Sequence, residues 1–113
     1  MIVLALAMLL GEIAPRAQVP QPAKTITIHA QKFAFQPNTI TLKKDETVKL
    51  VLISDDVHHG LAVRGLGIRA QIIPGHPTEV VVTPTAVGDF SGSCSVFCGS
   101  GHHDMQFVVH VIE

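Results

Sequence analysis

Residues 25–29 read TITIH, residues 39–42 TITL and residues 47–53 TVKLVLI. In the first run Ile26 and Ile28 fall on one face of an extended chain, with Thr25, Thr27 and His29 on the other, because strand side chains alternate with a period of two. The second run repeats that pattern after a Pro37-Asn38 turn signal. The third is apolar enough to lie centrally in a sheet. Working outward, residues 61–64 (LAVR), 69–73 (RAQII), 79–83 (EVVVT) and 105–112 (MQFVVHVI) supply further short strands. Breaks fall at residues 43–46 (KKDE), 54–56 (SDD), 65–67 (GLG), 74–75 (PG) and 87–89 (VGD). Seven or eight strands with no helical period predict an all-β fold, an antiparallel Greek-key sandwich or barrel occupying residues 24–113.

The remaining sequence bounds what such a domain can do. A chain of 113 residues allows one domain and excludes a separate cofactor module. Eight Lys+Arg against nine Asp+Glu give a net charge of −1 with no basic run, which argues against a nucleic-acid partner. Residues 1–10 (MIVLALAMLL) form an apolar run too short for the ~20 residues that cross a bilayer. With Ala14-Pro15-Arg16-Ala17 behind it, residues 1–17 read as a signal peptide or short anchor, so the expected location is periplasmic or otherwise extracytoplasmic, with membrane association through the N-terminus an option. Residues 18–23, with Pro20 and Pro22, form a stiff linker. Seven His, two Cys and three Met, beside five Phe and no Trp or Tyr, leave metal donors in excess and aromatic rings in deficit.

Those donors are concentrated. Residues 94–105 read CSVFCGSGHHDM and place Cys94, Cys98, His102 and Met105 at spacings of four, four and three. The pair His58-His59 lies 35 residues before Cys94, just after the Ser54-Asp55-Asp56 turn. Thiolate, imidazole and thioether form a soft-to-borderline set, and the thioether points to copper rather than zinc or a hard cation. Plainer readings stand beside this one. Two exported cysteines can form a disulfide, two Cys and two His can hold structural zinc, and one Cys can serve a single type-1-like copper. A lone Met in a strand is ordinarily core, and His103 reads as a solvated neighbour.

The same residues resemble the soluble domain of subunit II of the haem-copper cytochrome c oxidases, a cupredoxin-type domain that holds the dinuclear CuA centre. Asp56-Val57-His58-His59 is similar to that family's Asp-Val-x-His. Gly67-Ile68-Arg69 and Pro74-Gly75 are similar to its Gly-[Ile/Val]-[Lys/Arg] and Pro-Gly stretch, and Cys94-Ser95-x-x-Cys98-Gly99-x-x-His102-x-x-Met105 to its copper loop. A related domain ends nitrous oxide reductases, where His usually replaces Gly99. The resemblance implies two copper ions per chain, bridged by Cys94 and Cys98. His59 and His102 would each supply a terminal imidazole, with His58 the rival for His59. Met105 and the backbone carbonyl of Val96 would be weak axial donors. It further implies electron transfer, with a c-type cytochrome or a haem-copper oxidase catalytic subunit as partner. Phe90, Phe97 and Phe107 would supply apolar cover, if they are not simply core.

Departures from the family fall on partner contacts. Val96 stands where Glu commonly binds an interfacial magnesium, Gln71 replaces an acid before Pro-Gly, and His76 replaces an Arg after it. The aromatic entry path for electrons has no Trp or Tyr to build it. The expectation is therefore an exported, stand-alone or weakly anchored copper domain that transfers electrons and is not catalytic alone. The alternative is copper delivery or storage by the same donors. Asp56 either orients a ligand loop, docks a cationic partner or is merely solvated.

Overall fold

In a computed structural model, Gly11 and residues 21–113 are described. The expected export segment at 1–17, Gly11 apart, and residues 18–20 of the linker lie outside the described residues. Nine strands follow: β1 Lys24–Gln31, β2 Ala34–Gln36, β3 Thr39–Lys43, β4 Val48–Ser54, β5 His59–Val63, β6 Ile68–Ile72, β7 Thr78–Val82, β8 Gly88–Ser93 and β9 Gln106–Ile112. Short 3₁₀ turns cover Arg64–Leu66 and His102–Asp104.

The strands form two sheets, ordered β2-β1-β4-β7 and β3-β9-β8-β5-β6. Alternation decides which side chains go between them. In β4 the burial runs Val48, Leu50, Leu52 and Ser54 inward, with the intervening residues half-exposed. The first sheet contributes Ile28, Ala30, Val48, Leu50 and Leu52 to the core, and the second Leu42, Leu61, Val63, Ile72, Phe107 and Val109. Phe35 meets Phe107 edge to face, ring centroids 5.7 Å apart, the arrangement that aromatic quadrupoles favour.

The expected Greek-key sandwich is present, but it is not antiparallel throughout. β1 runs parallel to β4, from Lys24↔Val48 to Ala30↔Ser54, and β3 runs parallel to β9. A parallel pair needs a crossover of a dozen or more residues. Residues 32–47 supply it between β1 and β4 by crossing to the other sheet as β3. Two strands are additional to the predicted ones. β2 is only three residues long. β8 reads GDFSGS, a composition that signals a turn. It is a strand because six of its residues pair in register with β9, from Gly88↔Val111 to Ser93↔Gln106. Gly92 marks close packing: a Cβ there would lie 2.9 Å from the carbonyl oxygen of Ala62.

This arrangement brings the β4–β5 loop and the β8–β9 loop together, because β5 and β8 are neighbours. Replacing Phe107 by Ala should cost about 3–5 kcal/mol through lost burial and the cavity left against Phe35. A urea titration checks this, with the midpoint falling and the slope unchanged.

Candidate metal centre

His59 opens β5 and is fully buried, at 0% exposure. The preceding turn is organised by polar side chains. Ser54 Oγ–H donates to the Val57 carbonyl, the Asp56 N–H donates to Ser54 Oγ at 3.3 Å, and the Val57 N–H donates to Asp56 Oδ1 at 2.6 Å. Asp56 Oδ1 also lies 2.7 Å from His59 Nε2, and Asp56 Oδ2 accepts the Lys32 backbone N–H at 2.7 Å. Partial burial works to raise the Asp56 pKa, but the Lys32, His59 and Val57 donors outweigh it and hold the carboxyl below its usual value. A carboxylate on Nε2 places the ring proton there and leaves the Nδ1 lone pair facing inward. That Nδ1 is 3.9 Å from Cys94 Sγ.

The second loop begins where β8 ends and is tied at its base. Cys94 N–H donates to the Met105 carbonyl at 3.2 Å, and Ser95 N–H to the Gly60 carbonyl at 3.3 Å. The 3₁₀ turn closes through Asp104 N–H to Gly101 O at 3.0 Å and Met105 N–H to His102 O at 3.3 Å. Gly99 has φ +140°, a region that side chains avoid, and a Cβ there would lie 2.8 Å from the Phe33 ring. The His usual at this position in nitrous oxide reductases would meet that ring.

The result is a compact array of donors. Cys94 and Cys98 are free thiols, 4% and 7% exposed, with their sulfurs 3.7 Å apart. Cys94 Sγ has His59 Nδ1 at 3.9 Å and the Val96 carbonyl oxygen at 3.1 Å. Cys98 Sγ has His102 Nδ1 at 3.7 Å and Met105 Sδ at 3.5 Å. Each sulfur thus has one imidazole and one weak donor beside it. His59, Cys94 and Cys98 lie within 4.8 Å of one another, and His102 extends the array on the Cys98 side. Burial first, and then Cys94, push the Cys98 thiol up to about 11, because both disfavour the charged thiolate.

All six sequence-identified residues, His59, Cys94, Val96, Cys98, His102 and Met105, therefore converge. His58 is exposed and lies outside the array, as does exposed His103, whose ring meets that of His102 edge-on at 5.3 Å. The three phenylalanines divide differently from expectation. Phe97 is 74% exposed and lies 5.6 Å from the His102 ring, Phe107 packs in the core, and Phe90 lies against Gly65. The ring that packs on the copper-type loop is Phe33, against Gly99 and Gly101. Sequence reading missed it because it sits in the β1–β2 turn, some 60 residues away, with no local motif. The Asp56 alternatives resolve toward orienting the loop and its histidine.

No helix among the described residues is long and apolar enough to cross a membrane. A family model described as cytochrome c oxidase subunit II, periplasmic domain, matches residues 21–112. A probable cytochrome c oxidase subunit 2 of Streptomyces avermitilis is 40% identical over 75 residues, which are 66% of this chain and 24% of that protein. The chain thus spans about a quarter of that curated relative. The periplasmic domain of subunit II of cytochrome oxidase (CoxB) of Bradyrhizobium japonicum has a similar fold, with TM-score 0.77, 22% identity, and coverage of 85% of this chain and 88% of that one. A chain of a heme-copper terminal oxidase dimer also matches, with TM-score 0.71, 23% identity, and coverage of 88% and 76%. With the fold, the donor cluster and a family match from residue 21 to 112 in agreement, the chain belongs to the cytochrome c oxidase subunit II periplasmic-domain family, copper-binding extracytoplasmic domains of the CuA electron-transfer type.

Proposed function

We propose that this domain holds two copper ions and passes single electrons between a c-type cytochrome and the catalytic subunit of a haem-copper oxidase. The observation that carries the reading is the paired array itself: two sulfurs 3.7 Å apart, each with its own imidazole and its own weak donor. A single tetrahedral ion takes four donors, whereas six converge here around two sulfurs. Bound there, a copper pair supplies a one-electron couple shared across two ions.

The chain's own residues do the rest. Cys94 and Cys98 would hold the coppers through their thiolates, His59 and His102 through their imidazoles, and Met105 and the Val96 carbonyl as weaker donors. Asp56 fixes the His59 tautomer and ring plane from the side away from the metal. The two backbone ties at Cys94 and Ser95 fix the base of the loop and would limit its rearrangement when the charge held there changes. Burial of Cys94, Cys98 and Met105 keeps water off the sulfurs. Half-buried His102 and exposed Phe97 form the outward edge through which a redox partner approaches.

Reconstitution with copper should load about two ions per chain, with an EPR hyperfine pattern of one electron shared by two copper nuclei. One ion per chain with a localised single-copper pattern, or a colourless product, would overturn the reading. Substituting His59 by Ala should abolish the shared-electron spectrum, whereas H58A should leave it intact. Asp56→Asn should keep the fold and weaken copper retention roughly 10–100-fold, the usual effect of removing a carboxylate behind a ligand histidine. Competition with a copper chelator measures this.

A further inference from the structure

The outer face of the second sheet carries a feature that the copper centre does not use. The registers Arg69↔Ala62, Ala62↔Ser93 and Ser93↔Gln106 put these four residues in one row across β6, β5, β8 and β9. The row alternates by size: small Ala62 and Ser93 in the middle, long Arg69 and Gln106 at the ends. A trough of about 460 Å³ results, closed along its length by Arg64 and by Ser91 and Ser95. Its volume lies in the range of small-molecule sites.

Its chemistry is one-sided. Two guanidiniums and three hydroxyls line it and no carboxylate does. Asp104, two positions before Gln106, is exposed and forms no ion pair among the described residues, whereas two other nearby acids are engaged elsewhere. Asp89, two and four positions before Ser91 and Ser93 on the same strand face, is tied to His110, and Asp56 serves His59 and Lys32. Lys24 and Lys49 have found Glu46 and Glu79, whereas no ion pair is formed by Arg64 or Arg69 among the described residues. The Gln106 amide is anchored by donating to the His103 carbonyl at 3.0 Å, so that end of the trough is held in place. On the other side, Gly60 makes room for the Ser95 side chain, because a Cβ there would lie 2.3 Å from Ser95 Oγ.

From this we infer that the trough is a binding site for a small oxyanion, a phosphate or carboxylate group on a free small molecule. Arg64 and Arg69 supply forked, charge-assisted hydrogen bonds of the kind such groups take. The serine hydroxyls rotate to donate as well. Ser93 and Ser95 flank Cys94, whose own side chain turns to the buried side of the chain. An anion in the trough therefore lies on the opposite side of that segment from the sulfur, without competing for metal donors.

The test is a titration of the full-length chain with inorganic phosphate and, separately, with succinate, at fixed ionic strength. It follows the backbone amide resonances of Ser93 and Gln106 and the side-chain N–H signals of arginine. Saturable shifts confined to these groups are expected with at least one of the two anions. The variants R64Q and R69Q should each weaken the fitted affinity about tenfold, while K43Q, at the far end of β3, should leave it unchanged. Exposed substitutions of this kind leave the fold intact, which the rest of the amide spectrum verifies. Shifts that never saturate with either anion, or that persist unaltered in both arginine variants, overturn the inference.

Discussion

The donation from the Cys94 N–H to the Met105 carbonyl is the constraint on which the site depends. It joins the first and last residues of a twelve-residue loop, so β8 and β9 set the positions of Cys94 and Met105 before any metal arrives. Within that closure, the bonds of the 3₁₀ turn and glycine at position 99 leave the chain little choice but to bring Cys98 back onto Cys94. Two thiols are then buried side by side, where ionising either one is costly. The raised Cys98 pKa expresses that cost, which a bound cation would offset.

The second half of the site comes from the opposite loop and is held by a different device. His59 is buried with its Nε2 on Asp56, and Asp56 is in turn held by the Lys32 and Val57 backbone N–H groups. The β1–β2 turn thereby touches the centre twice, once through the Lys32 amide and once through the Phe33 ring. A sheet edge that looks remote in the chain is thus part of what keeps one ligand in orientation. The ligands belong to the second sheet and its loops, whereas the Lys32 amide and the Phe33 ring that brace them come from the first. Packing of the two sheets over Phe35 and Phe107 is what keeps support and ligands in register.

Most of this was legible in the residues themselves. Alternation in TITIH, TITL and TVKLVLI identifies strands because burial on one face enforces a period of two, and the Cys, His and Met spacings identify a soft-metal loop. Three things were not legible. β8 is written in glycine and serine, and only its long-range pairing makes it a strand. The parallel pairings of β1 with β4 and β3 with β9 depend on sheet order, which no local pattern encodes. Phe33 acts on the loop across some 60 residues of sequence. The oxyanion trough has the same character, since Arg69, Ala62, Ser93 and Gln106 become neighbours only through register.

The central claim is that Cys94 and Cys98 together bridge two metals rather than enclose one. X-ray absorption at the copper edge of the reconstituted chain tests it most directly. The paired array predicts sulfur and imidazole shells together with a distinct copper neighbour around each absorbing ion. A copper surrounded by the same light and sulfur shells but with no metal neighbour would contradict it.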